Sequence, residues 1–116
     1  YVLFMLSLAM HPKAPSIFAV DSFDHALNPR LAKKMIQVFC EQILNNDKHV
    51  FLTTHNPLVL DGLDITNDDI RLFTVERENG YAKIKRIKVS QELIDEGQSL
   101  SRLWINGRLG GVPDLI

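Results

Sequence analysis

The sequence predicts an α/β fold in which two parallel strands are joined by a helix. Residues 16–20 and 49–54 are short segments rich in β-branched and aromatic residues, and polar residues follow each of them. Between them, residues 29–45 repeat apolar side chains at intervals of three and four, the pattern of an amphipathic helix. Strand, helix and strand in this order form a βαβ unit, whose crossover is expected to be right-handed.

The composition is that of an ordinary globular domain. The 116 residues are 46% hydrophobic and 23% charged, which excludes a disordered chain. The formal net charge of −1 gives no overall basic footprint, so charge does not support nucleic-acid binding. The single cysteine, Cys40, excludes an intramolecular disulfide and suits a reducing cytosol, so we expect a cytoplasmic protein.

The first ten residues are apolar, but they are too few to cross a bilayer and lack the features of a signal peptide. We therefore expect no membrane association. Because the chain begins without an initiator Met and inside an apolar pattern, we expect a piece of a longer protein. Residues 1–11 are apolar on nearly every side, which predicts a helix buried within a layered core.

The elements that follow are delimited by prolines and caps. Pro12 and Pro15 end the first helix and lead into the first strand. Asn28 followed by Pro29 is a favourable N-cap and first residue for the amphipathic helix. After the second strand, a short helix is expected through Leu60 and ended by Gly62.

The last part of the chain predicts a hairpin and two short helices. Residues 70–76 and 81–89 alternate as paired strands around Glu78-Asn79-Gly80. The second strand has a mostly basic outer face, expected to be solvated, formed by Lys83, Lys85, Arg86 and Lys88. Short helices are expected over residues 90–96 and 99–106, with Leu103 and Trp104 packing on the main sheet.

Polar residues follow both predicted strands. Asp21 comes after the first strand and His55 after the second. Since the carboxyl ends of parallel strands meet at one edge of a sheet, these two side chains are expected to lie near each other. A carboxylate there can hold Mg²⁺, directly or through water, although Asp and His at strand ends also serve as plain caps.

Two segments containing these residues, DSFDHALNP at 21–29 and LTTHNP at 52–57, carry a resemblance to a known family. They resemble the Walker B, D-loop and switch-histidine regions of ABC-type ATPase domains, in the RecF/SMC/OLD-like branch of AAA-type ATPases of DNA repair and antiphage defence. The Walker B acid matches Asp21 and the switch histidine matches His55. The D-loop matches His25, Ala26, Leu27 and Asn28.

The opening helix, the hairpin and the tail LWINGRLGG are also similar to defence ATPases of the PtuA type, so the resemblance covers nearly the whole chain. It implies that residues 1–116 are the C-terminal part of an ATPase domain with a P-loop NTPase-like parallel sheet, plus a β-hairpin. It implies ATP and Mg²⁺ as cofactors, bound by Asp21, Ser22 and His55, with Asp21 organising the ion and His55 contacting the γ-phosphate.

The same resemblance implies a homodimer that sandwiches ATP head to tail, with Asn28 and its D-loop neighbours at the interface. DNA or a partner nuclease is an expected partner only through this resemblance. ATP hydrolysis within the larger protein is the function it implies.

The resemblance has departures. The catalytic glutamate falls on Ser22, which cannot act as a general base at neutral pH, and the usual proline falls on Phe23. Asp24 is the candidate to orient the attacking water instead. No Gly-x-x-x-x-Gly-Lys-Ser/Thr and no ABC signature occurs in the sequence, so this segment alone should bind nucleotide weakly or not at all. The Walker A half is expected upstream in the same protein.

Four alternatives remain at this stage. ATP could clamp a dimer around DNA or a partner nuclease, with hydrolysis incidental. A Toprim-like metal nuclease would use Asp21 and Asp24, but no acid precedes Asp21. A phosphoacceptor receiver with Asp21 and Thr54 lacks the acidic pair on a first strand. A hydrolase with Ser22 and His55 lacks Gly-x-Ser-x-Gly.

Overall fold

The computed structural model describes residues 1–88, 97 and 99–105. The chain divides into two compact units, Tyr1–Leu63 and Asp64–Ile116. The first unit contains α1 (Val2–Met10), β1 (Ile17–Val20), α2 (Pro29–Asn45), β2 (His49–Leu52) and a 3₁₀ helix (Pro57–Gly62). The described part of the second unit contains β3 (Leu72–Glu78), β4 (Tyr81–Ile87) and a helix here named α3 (Leu100–Ile105).

The sheet of the first unit confirms the predicted α/β class. β1 and β2 pair in parallel, from Ile17 opposite His49 to Val20 opposite Leu52, and α2 connects them. Helix α2 begins at Pro29, and the Asn28 side chain accepts a hydrogen bond from the Leu31 N–H at 2.9 Å, so the predicted cap is confirmed.

The core of the first unit lies on one side of this sheet. Alternate strand residues pack against the buried face of both helices, and the other strand residues are exposed. One face of each strand is therefore exposed among the residues that the structure describes. The buried core comprises Met5, Ala9, Phe23, Ala32, Met35, Ile36, Phe39, Ile43 and Val59.

Helix α1 is covered on one side only. Met5 and Ala9 are buried, whereas Leu3 is 80% exposed and Phe4 is also exposed. The prediction of a helix buried on all sides is wrong here, because α2 and the strands cover a single stripe of it.

A buried lysine holds the end of this helix. The Nζ of Lys48 donates hydrogen bonds to the carbonyl oxygens of Leu8 at 2.6 Å and His11 at 2.9 Å. Carbonyls at a helix C-terminus lack partners within the helix, and a cation there is favoured by the helix dipole. Lys48 precedes β2, so this contact ties α1 to the sheet.

The short helix expected after the second strand is present as the 3₁₀ helix, with Gly62 as its last residue. A Cβ at Gly62 would meet the carbonyl oxygen of Lys33 and lie 2.5 Å from Cγ2 of Ile36. Glycine is therefore required because the segment approaches α2 closely.

The second unit contains the predicted hairpin. β3 and β4 are antiparallel, with Leu72 opposite Ile87 and Glu78 opposite Tyr81. The loop is Asn79-Gly80, with φ of 52° and 82°, and positive φ at both positions is what a two-residue type I′ turn requires. The first strand begins and ends two residues later than predicted, and residue 89 lies outside the described residues.

Helix α3 packs on the hairpin, with Leu103 and Ile87 buried and Leu72 and Trp104 against them. The prediction that Leu103 and Trp104 pack on the main sheet is therefore wrong, because the hairpin supplies its own apolar pair. The helix expected over residues 90–96 and the tail after residue 105 lie outside the described residues. Within the described ranges, no helix combines the length and hydropathy needed to cross a bilayer.

Candidate functional site

The ends of β1 and β2 are joined by a threonine that the sequence analysis did not single out. Thr53 directly follows β2, and its N–H donates to the carbonyl of Val20 at 3.2 Å. Its hydroxyl donates to Oδ1 of Asp21 and accepts from the N–H of Ser22 at 2.7 Å. Thr53 therefore positions both the carboxylate and the first residue of the loop. No local sequence signal singles out Thr53, because the contact follows from the register, which pairs Val20 with Leu52 and so brings the next residues, Asp21 and Thr53, together.

The loop after Asp21 is held by its backbone. Ser22 has a φ of 50°, in the left-handed region, which costs a residue with a Cβ about 1–2 kcal/mol. The Ser22 carbonyl accepts from the N–H of His25 at 3.1 Å and from its ring Nδ1 at 2.8 Å, so Nδ1 carries a proton in this contact. Non-glycine residues in this region occur frequently at functional sites.

Phe23 anchors the same loop in the core. Its side chain is fully buried, and its N–H donates to the carbonyl of Thr53 at 3.3 Å. Proline, which the resemblance leads one to expect at this position, has no N–H and could not make this bond. The departure at Phe23 therefore has a structural role.

The predicted D-loop residues form the rest of the turn. His25 and Ala26 are exposed, and the N–H of Leu27 donates to the carbonyl of Asp24 at 3.0 Å. The oxygen of the Asn28 side chain is used as the cap of α2. The exposed residues of this segment are thus His25, Ala26 and Asn28, whereas Leu27 is half-buried.

Asp24 is half-buried near the start of α1. The pKa of the Tyr1 phenol is raised, first by burial and second by the nearby negative charge of Asp24. The Tyr1 ring also meets the His25 ring edge-on, with centroids 5.9 Å apart. Asp24 is therefore close to the Tyr1 side chain, whereas Asp21 is bonded to Thr53.

His55 is exposed and lies two residues beyond Thr53. Its neighbours shape the turn: the Asn56 N–H donates to the Thr54 hydroxyl at 3.0 Å, and the Leu58 N–H donates to the Asn56 side chain at 3.1 Å. Parallel pairing places His55 at the same edge of the sheet as Asp21. The residue in direct contact with Asp21 is Thr53, however.

The side chains at this edge can supply part of a Mg²⁺ site, with the other ligands coming from water and phosphate, rather than a complete set of ligands. No group of three or more His, Cys, Asp or Glu side chains in the described part of the chain is arranged to hold a metal ion. Mg²⁺ is commonly held in proteins by one or two carboxylates together with water and phosphate oxygens. Asp21, exposed and fixed through one oxygen by Thr53, suits the role of that carboxylate.

Comparison with protein families identifies the first unit. A family model described as "AAA domain, putative AbiEii toxin, Type IV TA system" matches residues 1–61, which is more than half of the 116 residues. The chain belongs to this AAA domain family. The matched range includes Asp21, Thr53 and His55. Searches of curated proteins and of solved structures found no match.

Family membership associates the first unit with nucleotide-binding ATPase domains, which use a nucleotide and usually Mg²⁺. It favours this class over the nuclease, receiver and hydrolase alternatives. The lack of an acidic cluster in the described residues also gives a metal nuclease no support. The hydrolase alternative pairs the Ser22 hydroxyl with His55. In the structure the histidine in contact with Ser22 is His25, and it contacts the backbone carbonyl.

Proposed function

We propose that the first unit supplies the Walker B and switch-histidine side of a Mg²⁺-ATP site in a larger AAA/ABC-type ATPase that hydrolyses ATP. The observation that supports this most strongly is the hydrogen-bonded link between Asp21 and Thr53 at the ends of paired parallel strands. Ligands of open α/β sheets bind at this edge. A carboxylate fixed in advance needs less reorganisation when it receives an ion.

In this proposal each residue has one task. Asp21 holds Mg²⁺ or its water, and the phosphates are bound by a Walker A segment that lies upstream in the same protein. His55 contacts the γ-phosphate. Asp24 orients the attacking water. Bound Mg²⁺ would supply charge neutralisation at the phosphates.

The exposed D-loop residues His25, Ala26 and Asn28 would face a second copy across a head-to-tail nucleotide sandwich. The half-buried Leu27 would support these residues from within the loop. We place the parent protein in the cytoplasm, in DNA repair or antiphage defence, with DNA or a nuclease as partner.

A second candidate is an ATP-gated dimer in which hydrolysis is incidental. It is supported by the serine at position 22, which provides no carboxylate, and by the nearness of Asp24 to Tyr1. The two candidates differ in turnover and agree on nucleotide binding.

The test is ATP binding and hydrolysis by the full-length protein with a matched pair of variants at position 53. Thr53→Ser keeps the hydroxyl and should keep turnover within about threefold, whereas Thr53→Val should lower it about tenfold or more. Asp21→Ala should abolish Mg²⁺-dependent binding or turnover, and His55→Ala should lower kcat.

Loss of turnover in Asp24→Asn would identify Asp24 as the group that orients water. Steady ATP-dependent dimerisation without phosphate release would favour the second candidate. If the full-length protein binds no nucleotide, both candidates are wrong.

A further inference from the structure

The register of the hairpin sorts its side chains onto two different faces. One face, here called the covered face, holds Leu72, Thr74, Glu76 and Glu78 of β3 with Tyr81, Lys83, Lys85 and Ile87 of β4. The other, called the open face, holds Phe73, Val75 and Arg77 with Ala82, Ile84 and Arg86. Arg71 and Lys88, next to the strand ends, continue the open face.

This sorting corrects the predicted basic outer face of the second strand. Lys83 lies on the covered face, opposite Glu76, and forms an ion pair with Glu78 at 3.4 Å. Lys85 shares that face, which helix α3 covers at its Leu72 and Ile87 end. The basic residues of β4 therefore do not form one surface, and those on the covered face accompany glutamates.

The open face combines an apolar centre with positively charged side chains around it. Val75 lies opposite Ile84, and they are 64% and 68% exposed, while Phe73 beside them is 49% exposed. Around this centre stand four exposed cations, Arg71, Arg77, Arg86 and Lys88. The described residues of this face include no Asp or Glu.

This composition is that of a protein interface. Apolar residues in the centre, a polar rim, and arginine in place of lysine and glutamate distinguish binding surfaces from ordinary surface. The covered face has lysines and glutamates instead. A second copy of the same face is a poor partner, because cations would meet cations.

The apolar centre also distinguishes between two kinds of anionic partner, single-stranded nucleic acid and an acidic polypeptide. Single-stranded nucleic acid binds by stacking bases on aromatic rings. Here the centre is an aliphatic pair, and Phe73 is its one aromatic neighbour on the face. Aliphatic side chains are best desolvated by other apolar side chains, so the face suits a polypeptide that carries both apolar and acidic residues.

We propose that the open face of the hairpin binds an acidic amphipathic segment of a partner protein. The apolar side chains of the partner cover Val75, Ile84 and Phe73, and its carboxylates lie opposite the arginines. Every residue of the open face belongs to the second unit, whereas Asp21, Thr53 and His55 belong to the first, so the proposal is argued without the nucleotide site.

The test uses the whole chain and a defined probe, a labelled peptide of about 15 residues with leucines at helical i, i+3, i+4 and i+7 spacing and glutamates elsewhere. A peptide with lysines in place of the glutamates is the charge control. The acidic peptide should bind at least about tenfold more tightly than the lysine peptide, and its binding should weaken as salt is added.

Two neighbouring residues give matched variants. Arg86→Glu reverses a charge on the open face and should weaken binding about tenfold, whereas Lys85→Glu makes the same change on the covered face and should alter it less than about twofold. The double variant Val75→Ser/Ile84→Ser should weaken binding about tenfold through the apolar centre. Circular dichroism and thermal melting verify that each variant is folded.

Three outcomes would overturn the proposal. The wild-type chain fails to bind the acidic peptide, or Arg86→Glu and Lys85→Glu weaken binding equally, which would show an effect of net charge alone. The third is that an oligothymidine of about 20 nucleotides binds more tightly than the peptide and loses its binding in Arg86→Glu, which would make the partner a nucleic acid.

Discussion

In the part of the chain that the structure describes, each of the two sheets has one open side, and these open sides differ in charge. The open side of the parallel pair presents Ile17, Ala19 and Phe51 with His49, and no Asp, Glu, Lys or Arg belongs to it within the strands. The open face of the hairpin is apolar at its centre and ringed by cations. An uncharged apolar face suits permanent burial, whereas a face with charges of one sign selects a partner.

Parallel sheets occur almost entirely with both faces covered. We therefore expect the open side of the β1–β2 pair to be covered by another layer of the same protein, in keeping with an upstream half of the ATPase domain. The hairpin is antiparallel, and antiparallel sheets tolerate an open face. The comparison predicts different consequences for similar substitutions on the two faces.

The largest expected effects are at two phenylalanines. Phe39→Ala removes a buried core side chain and should lower the free energy of unfolding by about 3–5 kcal/mol. In the full-length protein, Phe51→Ala should cost about 2 kcal/mol or more if a second layer covers that face. Ile84→Ala, on the hairpin, should cost less than about 0.5 kcal/mol. Chemical denaturation measures all three.

The comparison would fail if Phe51→Ala in the full-length protein cost no more than Ile84→Ala. The open side of the parallel pair would then be an ordinary exposed surface.

Two lysines extend the comparison to polar contacts. Lys48→Met leaves the carbonyls of Leu8 and His11 without their donor and should destabilise the protein by about 2 kcal/mol. Lys83→Met removes an exposed ion pair with Glu78 and should cost about 0.5 kcal/mol or less. Thermal melting at two salt concentrations separates them, because salt should weaken only the contribution of Lys83.

Two glycines are expected to resist substitution for different reasons. Gly62→Ala forces a methyl group against α2 and should cost about 1–3 kcal/mol. Gly80→Ala meets no atom within 4 Å, and its cost of about 1 kcal/mol comes from the positive φ alone. A Gly80→Asn variant should recover part of that loss, since Asn tolerates this conformation. If Gly62→Asn were more stable than Gly62→Ala, the predicted clash with α2 would be contradicted.

The last prediction is a pH dependence at Cys40, which has no effect near neutral pH. Burial, with a further contribution from Glu41, raises the pKa of this thiol from 9.0 to about 11. The folded state holds the proton more tightly, so the stability it contributes is complete below pH 9 and is lost as pH rises toward 11. Alkylation of the native protein at pH 8 should be much slower than that of the unfolded chain. Equal rates would show that the thiol is accessible.

Much of the first unit could be predicted from local sequence signals. The start of α2 was predictable from the Asn28-Pro29 cap, and its buried face from the apolar spacing of three and four. Both signals act over a few residues, so they can be read from the local sequence. The hairpin followed from Asn79-Gly80, whose positive φ angles favour one turn type.

The predictions that were wrong concern what covers each element. An apolar side chain does not reveal which layer will pack on it, so α1 was expected to be buried all round. Leu103 and Trp104 were assigned to the main sheet for the same reason.

The candidate site was predictable only in part. Asp21 and His55 stand at the predicted edge, but Thr53 was missed because its importance depends on strand register, which no local pattern gives. The roles of Asp21, Asp24 and His55 in nucleotide chemistry remain predictions, to be settled by the experiments above.

The left-handed conformation of Ser22 links the two departures from the ATPase pattern, serine in place of glutamate at position 22 and phenylalanine in place of proline at position 23. A residue that precedes proline is restricted to extended conformations, so Ser22 could not keep a φ of 50° if residue 23 were proline. Conversely, Phe23 gains its hydrogen bond to Thr53 only in this arrangement of the loop. The identities at positions 22 and 23 are therefore epistatic. A Ser22→Glu substitution alone would place the glutamate on a loop backbone that Phe23 still holds in its present conformation.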